Sequence, residues 1–441
     1  MNRYNTLLLF LTCFFLSSIL SAQTTTNSIY SRYGVGIIRP QSFSRNFAMG
    51  GTAIGLNSNR NINSINPASY SAIALTTFEV GFTNNALWMD DGTQTEYKNN
   101  PYISSLAIAF PIINKKWGMS LGLMPVTSIG YKFVNSFQDE IVGSITSQNE
   151  GNGGLNKFYV GNGFSIKLDS SAAISLGVNG AYYFGQSTID QKSIFGNLAN
   201  GLNVWNLTET NTSDISADFG TQYQKTITRK DSLGNYRNYV FRLGGIFSLK
   251  KDLNTNYNQL SRTFIGSADF GTIKDTISII EDEERTTEMP FEYGVGFSLE
   301  SQNHWLIAAD YRTADWSSIN SLSNIFIYKK VHSFSFGGEY IPNYNDYSGK
   351  LSYFNRISYR MGARYSTSNI AVNNVDFNEY GITFGLGLPL RRTGTSLPTI
   401  NLGLEYGKRG KQENELIEES FINFNVGIII NDKWFQKRKY N

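Results

Sequence analysis

The chain has 441 residues, a formal net charge of +3 and a mean hydropathy of -0.26. Charge so near balance argues against nucleic acid as a partner, and two His with one Cys leave metal and His-based nucleophilic sites poorly supplied. Forty-one Gly, 26 Tyr and 30 Phe against nine Pro, with no later apolar run near 18 residues, describe a β-rich chain without helical spans.

Residues 1–23 read as a cleaved export signal: Arg3, an apolar run over 7–20, then Ser21-Ala22-Gln23. A retained anchor helix would need about 20 apolar residues. Cys13, the one cysteine, lies inside that run, so the exported chain has no disulfide and must be held by other means.

Residues 24–75 are irregular and rich in Gly and Asn. Gly50 and Gly51 permit tight turns, Asn57, Asn59, Asn61, Asn63 and Asn66 offer donors and acceptors, and Phe47, Met49, Ile54, Leu56 and Ile62 are more apolar than a solvated linker needs. The segment reads as a plug for whatever follows; the alternative is a disordered linker.

From residue 76 to 431 the dominant pattern is period two. In "SFINFNVGIIIN" (420–431), Ile422, Phe424, Val426, Ile428 and Ile430 alternate with Asn423, Asn425 and Gly427. "AISLGVNGAYYFG" and "ITFGLGLPL" behave alike. Such runs match tilted strands of roughly 9–11 residues crossing a bilayer. Aromatics near strand ends (Tyr131, Phe133, Tyr182, Trp305, Tyr406) suit interfacial girdles.

Strands at 76–89, 100–113, 117–133, 155–168, 171–188, 235–250, 256–268, 288–300, 304–317, 326–341, 355–368, 378–390, 397–410 and 419–431 make fourteen. Inner connections are then short ("NKK" at 114–116, 169–170, "KKDLN" at 250–254, "SQN" at 301–303, "RRTGTS" at 391–396), apart from 342–354, and outer ones long (134–154, 189–234, 269–287). Residues 221–241 could alternatively form a hairpin above the membrane. The fold class is thus an all-β, transmembrane antiparallel β-barrel of about 14 strands with an N-terminal lumenal hatch, since a lumen this wide must be water-filled or plugged.

Within the third strand, "WGMSLGLMPVTSIGYKF", Pro125 cannot donate to a ladder and so opens a gap or an ordinary rim bulge. Met124 and Gly130 keep its neighbourhood pliable. Propagating the alternation turns Lys167, Arg242, Arg312, Arg360 and Arg364 inward beside Glu292, Glu300, Asp310, Glu339 and Glu405. Balanced charges of this kind hold wall and hatch together; alternatively Arg360 or Arg364 receives a ligand carboxylate as a bidentate partner. No catalytic residue, metal site or cofactor is expected, and His304 and His332 read as interface or lumen residues. The tail over 432–441 carries Lys433, Lys437, Arg438 and Lys439, suited to inner-leaflet phosphates.

"RNFAMGGTAIGLNSNRNINSINPASYSAI" (45–73) followed by "TTFEVGF" resembles the hatch of the FadL family of outer-membrane transporters for long-chain fatty acids and other hydrophobic compounds, with Asn66, Pro67 and Ala68 matching its Asn-Pro-Ala motif. "MPFEYGVGFSLESQNHWLIAADYRTADWSS" resembles the family's strand-turn-strand, and "YRMGARYSTS" matches more weakly. The resemblance implies an outer-membrane location in a Gram-negative cell. It also implies a hydrophobic small-molecule ligand held above the hatch, and a lateral exit at the third strand into outer-membrane lipid. The rival function is a non-transporting barrel that serves a secretion or assembly complex, with a protein partner bound through extracellular loops or the C-terminal tail. An outer-membrane enzyme is a remote third.

Overall fold

The computed structural model describes residues 28–140, 143–196, 202–230, 236–319, 326–349, 352–391, 396–413 and 416–433. The expected export signal and the tail residues Lys437, Arg438 and Lys439 lie outside the described residues. A short strand β1 (Ile37–Ile38) belongs to the N-terminal segment. The wall is built from β2 (Thr76–Asp90), β3 (Thr95–Ile113), β4 (Trp117–Pro125), β5 (Thr127–Asp139), β6 (Gly143–Lys167), β7 (Ala172–Phe195), β8 (Asn203–Lys230), β9 (Tyr236–Ser248) and β10 (Lys251–Ile265). It continues with β11 (Thr272–Met289), β12 (Glu292–Ser301), β13 (Trp305–Asp315), β14 (Phe326–Tyr328), β15 (Lys330–Tyr340), β16 (Ser358–Val372), β17 (Val375–Pro389), β18 (Thr399–Arg409) and β19 (Glu418–Asp432).

β4 with β5, β9 with β10, β11 with β12 and β14 with β15 are each one strand interrupted by a bend, which leaves fourteen antiparallel wall strands. β19 closes on β2 from Glu418 opposite Asp90 to Asp432 opposite Thr76 without a register shift. Closure matters because lipid cannot satisfy an open edge, where each unpaired backbone group costs several kcal/mol. The rim where the hatch joins β2 is called inner below, and the opposite rim outer.

Period two sorts the side chains as the sequence implies. Phe424, Ile428 and Ile430 of β19 are exposed on the outside, whereas Asn423, Asn425 and Asn431 are buried within. Leu176, Phe297, Phe336, Ile382 and Leu404 continue the outer apolar belt. Tyr182, Trp305 and Tyr406 also stand on the outer or half-exposed surface, but Tyr131 is buried against Gly151 and takes no part in a girdle.

Two strands differ from the expected set, in opposite senses. Residues 203–230, expected inside an outer loop, form β8, which pairs with β7 from Val204 to Lys225 and with β10 and β9 in turn on its other edge. Its outer half is rich in Thr, Asn, Glu and Asp, so the membrane pattern is absent where the strand stands above the apolar belt. Conversely "KKDLN" is no inner turn: β9 runs on into β10, and β11 into β12. Residues 221–230 and 236–241 accordingly belong to wall strands β8 and β9 and not to a raised hairpin. The expected long outer loops at 134–154 and 269–287 are mostly strand as well. β6, β7 and β8 reach 25, 24 and 28 residues, about twice what a bilayer needs, so length on the outer side resides in strands. The tightest outer connection is Asn373 and Asn374, both at positive φ (50° and 61°), a two-residue hairpin turn suited to Asn.

Candidate functional site

The N-terminal segment fills the lumen, and it runs downward. Ser28 stands near the outer rim, where its hydroxyl donates to Glu419, and Tyr30 donates to the Ile417 carbonyl (2.6 Å). The chain then passes β5, descends to a helical turn at Ser44–Phe47, and reaches β2 through a 3-10 turn at Pro67–Ala72. The segment thus descends from the outer rim and does not enter the lumen from the inner side.

Local chemistry explains the Asn-Pro-Ala match. Asn66 Oδ1 accepts from the Ala68 N–H (3.1 Å) as a helix cap, and Pro67 occupies the first helical position, where no N–H is needed. Asn66 Nδ2 donates to the carbonyls of Ile54 (2.8 Å) and Thr221 (3.1 Å), tying hatch to wall. Gly50 and Gly51 adopt positive φ (68° and 80°), and the Gly50 N–H donates to Thr383 Oγ1 (2.8 Å). Asp310 accepts from the N–H groups of Ala53 (2.6 Å) and Ile54 (2.9 Å).

The alternating glycines of the wall form a seat for this plug. A β-carbon at Gly118 would lie 1.9 Å from Tyr70 O, at Gly177 2.2 Å from Pro67 C, at Gly244 2.1 Å from Ile54 O, and at Gly337 2.2 Å from Met49 O. Gly403 and Gly427 make the same allowance for Phe47 and Ser44. The hatch therefore touches the wall backbone to backbone.

Charged side chains pair in three groups, the first between hatch and wall and the other two between wall strands. At the floor, Glu339 accepts from Arg45 of the hatch (3.0 and 3.2 Å) and from Arg360 (2.6 Å), whose Nη1 also donates to Asn401 (2.7 Å). Glu79 is fully buried on β2, with its carboxylate beside the Ser44 backbone and the Arg45 and Arg360 charges. Higher up, Arg364 bridges Glu405 and Glu379 (2.5 Å each), while Arg409 bridges Glu379 (2.5 Å) and Glu419 (3.4 Å). Across the lumen, Lys157 and Lys251 flank Asp218 at 3.6 and 3.7 Å. Arg242 pairs with Glu300 (2.7 Å), and Lys167 is exposed at the inner end of β6 instead of in the lumen. Both Arg360 and Arg364 already hold carboxylates, so neither presents an open fork to a ligand.

Sequence reasoning brought Arg242, Arg312, Arg360, Arg364, Asp310 and Glu405 to the lumen. It missed Arg45, Lys157, Asp218, Lys251, Glu379, Arg409 and Glu419, although the last three sit at alternate positions of recognised strands and could have been found by extending the count outward. His304 Nδ1 lies 3.0 Å from the Ile341 carbonyl and His332 Nδ1 2.8 Å from the Tyr311 hydroxyl. Among the described residues no group of three or more His, Cys, Asp or Glu is placed to hold a metal ion.

The wall ladder is interrupted beside Pro125. β3 pairs with β4 outward only as far as Leu106 opposite Leu123, and no register joins β3 to β5 among the described residues. On the other side, residues 126–128 face only 154–155 of β6, a bulge at which Gly153 and Gly154 take positive φ (123° and 140°). The hatch arm lies along this break. Ile37 and Ile38 pair with Ser128 and Thr127, Gln41 Nε2 donates to the Pro125 carbonyl (2.7 Å), and the Arg39 guanidinium covers the Tyr102 ring at 4.3 Å. Gly130 donates its N–H to Ser31 Oγ (3.0 Å), and Met124 is buried under the hatch near Ser64. Above the hatch is a cavity of about 390 Å³. Tyr102, Val126 and the arm bound it at the break, Lys157, Asp218, Lys251 and Arg312 on one flank, and Arg364, Glu379 and Arg409 on the other.

A family model described as BamG matches residues 5–441. No curated protein matches the sequence. Among solved structures, the chain is similar to the Pseudomonas putida toluene transporter TodX, at 16% identity over 93% of this chain and 100% of that one, with a TM-score of 0.54. It is similar to a Pseudomonas aeruginosa FadL homologue at 11% identity over 91% and 100% (TM-score 0.54), and to the Ralstonia pickettii toluene transporter TbuX at 13% over 92% and 99% (TM-score 0.50). The fold is FadL-like.

Proposed function

The chain belongs to the BamG family, and we propose that it works as a plugged outer-membrane barrel that admits a small hydrophobic molecule to the cavity above the hatch and releases it sideways into lipid. The observation that carries this reading is the meeting of the cavity with the ladder break at Pro125, covered among the described residues by no wall strand but by the hatch arm at 37–41. A volume near 390 Å³ falls in the range of roughly 300–1,000 Å³ used by small-molecule sites. Its charged flanks suit a ligand with a polar end on an apolar body, fatty-acid-like in outline. FadL-like neighbours that transport toluene support passage of hydrophobic compounds in general. Export through a cleaved signal at 1–23 and an outer-membrane location complete the proposal, supported by the apolar outer belt of the closed barrel.

A second reading is favoured by a specific observation. Each Arg of the upper lumen network is bound by two carboxylates, and the hatch is fastened at every level, as a barrel that only scaffolds a protein assembly would allow.

One staple separates the two. Ile37 and Ser128 are opposed in register, at a spacing that a disulfide can bridge. Oxidised Ile37→Cys/Ser128→Cys should lose uptake of a long-chain hydrophobic probe and regain it on reduction. Unchanged uptake in the fully oxidised form sinks the lateral route, and absence of uptake in the parent favours the scaffold.

A further inference from the structure

We propose that the outer part of β11 is a docking strand for an extended, basic segment of a partner protein. β12 is paired on both sides, with β9 and with β13, but β11 above it pairs with β10 alone among the described residues. The second edge of an 18-residue strand, about 55–60 Å long at the usual rise per residue, thus stands outside the apolar belt with backbone groups turned to water.

Natural edges are ordinarily blunted along their length by charge, proline or bulges. This one bulges at Asp282, at positive φ (54°), and the bulge divides it into two stretches of different chemistry. Residues 276–280, Thr-Ile-Ser-Ile-Ile, carry no charge, and Ile273, Ile277 and Ile279 are 47%, 59% and 56% exposed. Such a run has the composition that seeks another strand. Next to it, residues 281–284 are Glu-Asp-Glu-Glu, and the whole of β11 holds six acidic side chains against two basic ones. Arg285 pairs with Glu283 (2.9 Å), which leaves the cluster strongly negative. Main-chain hydrogen bonds to an added strand would supply affinity, and alternate side chains would supply selection. An antiparallel guest therefore needs Lys or Arg in its first half, opposite 281–284, and β-branched apolar residues in its second, opposite 276–280. Acidic guests are repelled, and a parallel second copy would set its own acidic run against this one.

The test uses the full chain in lipid nanodiscs and two labelled ten-residue peptides of alternating Thr and Val or Ile, one with Lys at alternate positions of its N-terminal half and the other with Glu there. The Lys peptide should bind saturably and at least tenfold more tightly than the Glu peptide, weaken as salt rises, and slow amide exchange over 272–284. Ile277→Lys/Ile279→Lys should lose tenfold or more in affinity while its barrel still shifts on heating in gels. Equal binding of both peptides, binding of neither, protection elsewhere, or full binding by the double variant each overturn the proposal. Self-association of the parent that the same variant abolishes would assign the edge to a second copy instead.

Discussion

Arg45 grips Glu339 with two nitrogens, Nη2 to Oε1 at 3.0 Å and Nε to Oε2 at 3.2 Å, so a hatch residue and a wall residue share a bidentate contact across 294 positions of sequence. Arg360 holds the same carboxylate from the wall side at 2.6 Å. With little exposure on any of the three, Glu339 lies between two guanidinium groups, and loss of Arg45 leaves it to Arg360 alone and cuts the charged link from wall to hatch.

Arg45→Ala should therefore loosen the floor of the hatch, at a cost of about 1.5–3 kcal/mol for the lost charged hydrogen bonds, since Arg360 still compensates Glu339. Planar-bilayer recordings should show frequent ion-conducting openings in the variant and few in the parent. Arg45→Lys, which keeps charge but loses the fork, should fall between them. A silent Arg45→Ala channel with an intact barrel would show that the pair does not secure the plug.

The glycine seat makes a sharper comparison, because two glycines of one strand face opposite ways. Gly177→Ala places a methyl 2.2 Å from the backbone of Pro67, whereas at Gly180 the nearest atom is 3.8 Å away. Overpacking of this kind costs about 1–3 kcal/mol. Thermal melts should drop for Gly177→Ala and stay put for Gly180→Ala; equal melting points would deny the seat.

Outside the wall, Ile428→Arg should impair membrane insertion by about 2–4 kcal/mol near the bilayer midplane. Gln191→Arg, on an exposed position of β7 beyond the apolar belt, should be tolerated. Folding yields into vesicles would report both, and similar yields would mean that the belt is drawn at the wrong height.

Removal of residues 45–73 should leave a barrel that folds, since β2 and β19 close without them, and that conducts ions steadily. A deletion mutant as tight as the parent would show that another part of the chain blocks the lumen.

Period two made the wall legible wherever a strand crosses lipid, because the solvent on each side there differs sharply. β19 and β17 were readable residue by residue for that reason. Above the belt both faces of a strand meet water, and the same backbone carries Thr, Asn and Glu on either side, so β8 and the outer half of β6 left no signal. The expected total of fourteen strands survived because omitting β8 was offset by dividing β9 and β10 in two. Pro125 announced a break since its chemistry is local. Arg45 gave no such notice: its partner is set by how the hatch descends, which no spacing in the chain records.

The glycine seat also fixes the order in which the molecule can be put together. The plug touches wall backbone directly on strand after strand, while its arm stretches back to Glu419 and Ile417 at the far rim. A finished cylinder would have to be threaded with a bulky, side-chain-bearing cord through an opening that fits it without slack. The hatch would instead have to be in place before the wall is complete, with the seam between β2 and β19 closing around it.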